Sequence, residues 1–449
     1  MKELTADDIK SYADKYCSSK FNKVAQRAVT TNGIYKAAED MNAIDRDGNS
    51  NFSFSIDNVS IGASNQNKSG RCWIYACLNT LRQHMIKTYK MADDFELSQN
   101  YLNFYDKLEK SNYFYENVIR TAKKPMDDRE VWYIFATPQQ DGGDWCLVCA
   151  LIDKYGVVPK DAMGETSCSI TSAELNTILN RKLRKDGLKL RSMVASGSSD
   201  DEISTVRAEM MEENYRILAI ALGVPPCKVE FEYRDTTDKK EFHQCGPLTP
   251  HEFYKDFIGE DLNDYVILMN VPDVDDMPFG KLYTIEDSGN MVGGRPNLYL
   301  NEPICELTKA ALAQVKDGIP VWYGCDVLQQ FDREKGIMDL DLYGFNDLFG
   351  TDFNFRKGDM FSTRESLPTH AMVLAGVDLQ NGEPVRWKVE NSWGDKIGKK
   401  GYMVMSQAWF EEYTYEVVVN KKYLTDEQKA AFQTEPTVLP FYNGMQPTK

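Results

Sequence analysis

After about residue 280 the chain changes texture. Short alternating or apolar runs, KLYTI, NLYLN, IPVWYG, AMVLAGV, VRWKVEN, YMVM and EVVV, follow one another between glycines and prolines, and runs so bounded read as strands. Ahead of that boundary the periodicity is helical. From Cys72 to about Lys90, Ile74, Cys77, Leu78, Leu81 and Met85 recur at three- and four-residue steps, which places them on one helix face with Cys72 in the first turn. Residues 5 to 41 read as an amphipathic helical arm that ends at the polar stretch DRDGNSN. Helices and strands segregated in this way predict an α+β fold.

Between these regions lies a second helical block. Thr171 with Glu174, and Ser199 with Glu202, both match the S/T-x-x-E capping box, predicting helices over about 172–195 and 200–222. Gly197 and the polar SGSSDD turn divide them, and Pro225-Pro226 ends the second. A last helix near TDEQKAAFQT leads into EPTVLPFYNGMQPTK, whose Pro and Gly content resists regular structure.

With 449 residues, 42% of them apolar, the chain can supply cores for two or three units of roughly 150 residues each. Its net charge of -16 repels phosphate backbones and anionic membranes, arguing against nucleic acid as a main partner. No segment has the roughly 18 consecutive apolar residues of a membrane helix. The opening MKELTADDIKSYADKY has no uninterrupted apolar run of the signal-peptide kind. Ten cysteines without framework spacing predict a reducing, cytoplasmic setting.

A cysteine in the first turn of a helix is favoured as thiolate by the unpaired N–H groups there. The plain alternative for Cys72 is a small apolar filler on the buried face. A nucleophile needs a base that titrates near neutral pH, and the chain has four histidines. His84 has polar neighbours and His243 and His251 fall in a charged region, so these read as surface residues; position 255 is Lys, so no HExxH zinc motif exists. His370 differs, because it opens the apolar strand AMVLAGV and needs a partner there. Asn391, in VENSWG at the end of another strand, offers an amide that would orient an imidazole without adding charge. Cys72, His370 and Asn391 have the types and order of a thiol-peptidase triad. The lone CxxC at Cys146 and Cys149 sits in an apparent helix and reads as packing, not metal or redox chemistry. The glycosylation-type triplets at Asn51 and Asn67 are common by chance.

NQNKSGRCWIYA, FELSQNYL, DGGDWCLVCALIDKYGVVPK, PTHAMVLAGV and VENSWGDKIGKKGYMVM together resemble the papain-like cysteine peptidases. NGIYKAAEDM, GGRPNLYL and the tail narrow the resemblance to the bleomycin hydrolase and aminopeptidase C group, over nearly the whole chain. Roughly 300 residues separate Cys72 from His370, against about 130 to 150 in simple papain-like enzymes, so the surplus is an insertion.

The resemblance implies a papain-like fold with a helical left domain and a β-barrel-like right domain. Residues 1–55 would form an N-terminal arm, 56–165 the helical half with the nucleophile, and 166–280 a helical insertion. Residues 281–422 would form the β-rich half with His and Asn, and 423–449 a C-terminal helix and tail reaching the active site. It makes Cys72 the nucleophile, His370 the base and later acid, Asn391 its orienter, and Gln66 an oxyanion donor beside the Cys72 N–H. Trp393 would shield the Asn391 contact from water, and Gly142 and Gly143 would form a wall along which peptide lies. Leu439-Pro440, Gly444 and Met445 echo the group's tail, while Gln446 to Lys449 depart from its small apolar ending. Thr448 and Lys449 would carry the chain's carboxylate toward a substrate's α-amine.

By the same resemblance the protein is a broad-specificity cysteine aminopeptidase acting on short peptides through a thioester, with bleomycin-type amide hydrolysis as a side activity. It would need no metal or organic cofactor and would assemble as a homo-hexameric barrel. The alternatives are an endopeptidase with a displaced tail and a nonenzymatic barrel that binds nucleic acid or protein.

Overall fold

A computed structural model describes residues 1–56 and 62–446. Among them, twelve strands form one large sheet. Near its middle His370–Gln380 runs antiparallel to Val321–Cys325 on one side and to Glu383–Glu390 on the other. Thr414–Asn420 lies beyond Val321–Cys325, and Tyr402–Ser406 beyond Glu383–Glu390.

The apolar strand runs reflect burial on both faces. Side chains alternate between the two sides of a strand, and Trp322, Ala371, Val373 and Tyr415 pack into a core with Trp73, Ile74, Cys77, Leu78 and Leu81 of the Cys72–Tyr89 helix. Their sequence neighbours Tyr323, Met372 and Leu374 face the opposite way, toward Leu307, Ala310, Ala311 and Val315 of the Ile304–Lys316 helix. The strand that carries His370 is therefore wedged between two helical layers. Trp322 crosses toward the first of them, its Nε1–H donating to Trp73 O at 3.2 Å.

Helices Gln99–Arg120, Arg129–Ala136 and Trp145–Tyr155 accompany the Cys72 helix. Ala173–Ala195 and Asp200–Leu222 pack on Gln99–Arg120 through a separate core of Phe114, Tyr115, Val118, Leu183, Leu190, Ile203 and Met210. The Ser199 box forms, with Ser199 N–H donating to Glu202 Oε2 at 2.8 Å and Glu202 N–H to Ser199 Oγ at 3.3 Å. The Thr171 box does not. Thr171 ends a short helix, Ser167–Ile170, and its backbone bridges to Lys68, while the Ala173 helix starts from Ser172 with no side-chain cap. The Ser172 hydroxyl is turned to Asp141 instead.

Three further features differ from the sequence expectation. The block read as helical also holds a hairpin, Val229–Arg234 with Phe242–Leu248, and its strand Tyr265–Met269 joins the main sheet between Tyr299–Asn301 and Thr414–Asn420. The arm is divided into Ala6–Ser18, Lys20–Asn32, Ile34–Ala38 and Met41–Asp47, with breaks at Ser19 and at Gly33, whose φ is +82°. The tail is not irregular throughout, since Thr437–Leu439 pairs in parallel with Lys281–Ile285 at the sheet edge. No helix among the described residues is long and apolar enough to cross a membrane.

The two predicted caps should separate in hydrogen exchange. Ser199→Ala removes an acceptor worth about 1 kcal/mol and should speed exchange of the Glu202 amide about fivefold, whereas Thr171→Ala should leave the Glu174 amide unchanged.

Candidate active site

Cys72 is the first residue of its helix, and Arg71 before it offers no side-chain cap. Burial disfavours charge on the sulfur, and backbone N–H groups of Ala371, from the His370 strand, and of Trp73 and Cys72, at the helix start, favour it. Two buried charges fix the loop leading into the helix. Arg71 is fully buried, pairs through both terminal nitrogens with Glu165 at 3.1 and 2.9 Å, and donates from Nε to Ser69 Oγ at 2.9 Å. Asp141 accepts the Gly70 N–H at 2.9 Å, the buried Lys107 ammonium at 2.7 Å and Asn176 Nδ2 at 2.9 Å. Burial pushes the Asp141 carboxyl up, yet Lys107 and the Gly70 N–H outweigh it and hold the group well below the usual carboxylate range.

His370 opens its strand opposite Cys325, and Asn391 directly follows the neighbouring strand Glu383–Glu390. The ring Nε2 lies 2.8 Å from Asn391 Oδ1, which also accepts the Ser392 N–H at 2.7 Å. An amide oxygen held by that N–H can only accept, so Nε2 carries the proton and Nδ1 the lone pair. Trp393 covers the pair, its ring centroid 4.8 Å from that of His370. The next residue, Ala371, supplies one of the backbone N–H groups that favour charge on the Cys72 sulfur. Gln66 is equally fixed: Oε1 accepts from Ser392 Oγ at 2.6 Å and Nε2 donates to Ser69 O at 2.5 Å, leaving one amide hydrogen.

These residues meet in one cleft. Gln66, Cys72, Gly142, Gly143 and His370 line a volume of about 360 Å³, together with Gly444, Met445 and Gln446 of the tail. The tail is seated firmly. Arg364 donates to Tyr442 O at 2.8 Å, Gln446 Nε2 donates to Phe441 O at 3.1 Å and Glu286 O at 3.2 Å, and Met445 is buried. Thr448 and Lys449 lie outside the described residues. Gly143 has a reason of its own to be glycine: a Cβ there would stand 2.6 Å from the Trp73 ring. Gly142 presents its carbonyl to Lys110 Nζ at 2.7 Å.

Burial acts on both members of the Cys72–His370 pair. It pushes the thiol up and the imidazole down to about 4, Asn391 opposing the second shift. Each shift disfavours a lone charge. Moving the sulfur proton to the imidazole creates both charges at once, so that each offsets the other's lost solvation.

The other candidates lie elsewhere. His84 faces Glu260, His243 stacks on Tyr233, and His251 meets Asp153 O. Cys146 and Cys149 are free thiols packed in the core, and burial pushes both up. Sequence reasoning passed over Lys107, Asp141, Asp144 and Glu416, of which the last three line the cleft. Glu416 heads the apolar run EVVV, where a glutamate reads as an exposed strand end.

Residues 3–446 match the Peptidase C1-like family. The chain is 43% identical to Aminopeptidase C of Lactobacillus helveticus, over 96% of this chain and 94% of that protein. It is 44% identical to Aminopeptidase C of Listeria innocua, over 99% and 98%. The crystal structure of pepw from Lactobacillus rhamnosis is similar at a TM-score of 0.95 and 47% identity, covering 99% of this chain and 98% of that one. The chain belongs to the Peptidase C1-like family, as a papain-like cysteine peptidase of the bleomycin hydrolase and aminopeptidase C group.

Proposed function

We propose that this protein is a cytoplasmic cysteine aminopeptidase that removes residues one at a time from the N-terminus of short peptides. The observation that carries the reading is the His370–Asn391 hydrogen bond of 2.8 Å in the cleft that also holds Cys72. The Cys72 sulfur attacks the first peptide carbonyl as its proton passes to His370 Nδ1, and a C–S bond forms. The oxygen gains negative charge and meets the Cys72 N–H and the remaining Gln66 amide hydrogen, each worth about 3 kcal/mol in the transition state. Collapse breaks the C–N bond, and His370 returns the proton to the departing amine. Water then attacks the thioester with His370 again as base, the C–S bond breaks to release the amino acid, and the sulfur regains its proton from His370.

Asn391 keeps the imidazole in the required tautomer, and Trp393 excludes water from a neutral contact that water would weaken. Gly142 and Gly143 form the wall beside an extended peptide. The tail closes the cleft at Gly444 to Gln446 and limits how much peptide can lie ahead of the scissile bond, which favours the aminopeptidase over an endopeptidase with a displaced tail. Broad specificity, bleomycin-type hydrolysis and a homo-hexameric assembly belong to the same reading. Among the exposed apolar side chains, Ile9, Tyr12, Tyr16, Phe21 and Val24 lie on the N-terminal helices, as an assembling arm would require.

Two kinds of experiment test the reading, cleavage assays and a pH profile. Free aminoacyl fluorogenic amides should be hydrolysed and their N-acetylated forms should not. Cys72→Ala should lower turnover about a thousandfold or more. Deleting residues 446–449 should weaken cleavage of free amides about tenfold and admit internal cleavage, and unchanged products would remove the tail from the mechanism.

The second is the pH profile. His370 must be neutral to accept a proton, and burial lowers its pKa to about 4. The acid limb of kcat/KM should therefore fall near pH 4, activity being lost as pH drops through it; a limb at about 6.5, that of a free imidazole, would contradict the buried base.

A further inference from the structure

Glu416 sits in the cleft wall with no evident reason to be ionisable. Its residue is 6% exposed, and its Oε2 has no hydrogen-bond partner among the described residues. A buried carboxyl oxygen left without a partner is costly, and an apolar side chain of similar size would avoid the cost. Its position follows from the sheet. Ala371 pairs with Gly324, and Gly324 with Glu416, so the three form a row across adjacent strands and face the same side. Gly324 contributes no side chain, and the Glu416 carboxyl occupies that space: a Cβ on Gly324 would lie 2.4 Å from Oε1. The carboxyl thus leans over Gly324 toward Ala371, whose N–H acts on the Cys72 sulfur.

A second buried carboxyl stands nearby. Asp144, 2% exposed, caps the Trp145–Tyr155 helix, accepting the Leu147 N–H at 3.3 Å, and it accepts the Tyr299 O–H. Burial pushes both carboxyls up, Asp144 to about 6, and the Asp144 charge adds to the effect on Glu416. The ammonium that acts on Asp144, Lys110, is already committed to Asp106 and to the carbonyls of Gln140 and Gly142. Each carboxyl is thus disfavoured as an anion while it stands alone, and a cation in the cleft they line would favour the charged form and give the unpartnered Glu416 carboxyl a partner.

We propose that Glu416, supported by Asp144, is a subsite for a protonated amine of the peptide substrate. The proposal rests on the aminopeptidase reading. The amine has two sources with the same chemistry, the α-ammonium of the substrate's first residue or the cationic end of a lysine or arginine side chain. Two strand spacings separate Glu416 from Ala371, about 10 Å between backbones, and the glutamate side chain spans part of that gap. Glu416 and Cys72 line the same cleft, so an amine of either source on a bound peptide can be brought to the carboxyl.

Calorimetry in the Cys72→Ala background, where the ligands are not hydrolysed, distinguishes the sources. Leucinamide carries the α-ammonium, 6-aminohexanamide an ammonium at side-chain distance, and hexanamide neither. One of the two amines should bind at least about tenfold tighter than hexanamide, and Glu416→Gln, nearly isosteric, should remove most of that advantage. A preference for leucinamide assigns the subsite to the α-amine, and one for 6-aminohexanamide to basic side chains. Should the glutamine variant fail to fold, Asp144→Asn, which retains a good helix cap, is read in its place, with a loss of about threefold or more expected. Equal binding of all three amides in that background, or an amine preference that survives substitution, overturns the subsite. If the protein with Cys72 intact hydrolyses no aminoacyl amide while the amine preference stands, the subsite is kept and the aminopeptidase reading is lost.

Discussion

The cleft depends on one buried carboxylate. Asp141 ties the Gly70 N–H of the loop before Cys72 to Lys107 of the Gln99–Arg120 helix and to Ser172 and Asn176 of the following block, while its carbonyl receives the Trp73 indole N–H at 2.7 Å. Three separate stretches of chain are thereby fixed against the start of the nucleophile's helix. Breaking such a buried pair from one side leaves the other charge unpaired, at about 3 to 5 kcal/mol. Because Asp141 directly precedes Gly142, the same anchor sets the wall along which peptide would lie. Arg71 and Glu165 do comparable work on the opposite side of the loop.

The opposite half of the site is held by neutral contacts. An amide on His370 fixes the imidazole without supplying a charge, so protonation of the ring is penalised by burial and stays low at rest. Negative charge on sulfur is met by backbone N–H groups from two elements, the helix start and the His370 strand. The site thus separates its duties, with full ionic pairs for the scaffold and dipoles for the reacting atoms. Fixed dipoles need no reorganisation when charge develops.

Much of this was legible in the chain. Cys72 at a helix start, and His370 and Asn391 at strand ends, were visible because polar residues at the edges of apolar runs break a pattern that burial otherwise enforces. The failures have local causes. Thr171 matched a capping box, but Ser172 gave its hydroxyl to Asp141 and Thr171 its backbone to Lys68, contacts set by tertiary packing. Tyr265–Met269 is an apolar run too short to separate from helix by periodicity. That a Cβ on Gly143 would meet the Trp73 ring was not legible, because the contact joins residues about seventy positions apart. Glu416 escaped notice because a glutamate heading EVVV reads as an exposed strand end, and only the Gly324 pairing shows where its carboxyl goes.

The separation of the reacting groups along the chain also orders events in time. Synthesis at about 5 to 20 residues per second delivers the thiol of Cys72 some fifteen seconds to a minute before the imidazole of His370. Until the strands of the last third emerge and dock under Trp73 through Trp322, a growing chain carries a sulfur with no base to draw off its proton. A hydrolase built this way stays inert on the ribosome, and its activity switches on with completion of the sheet.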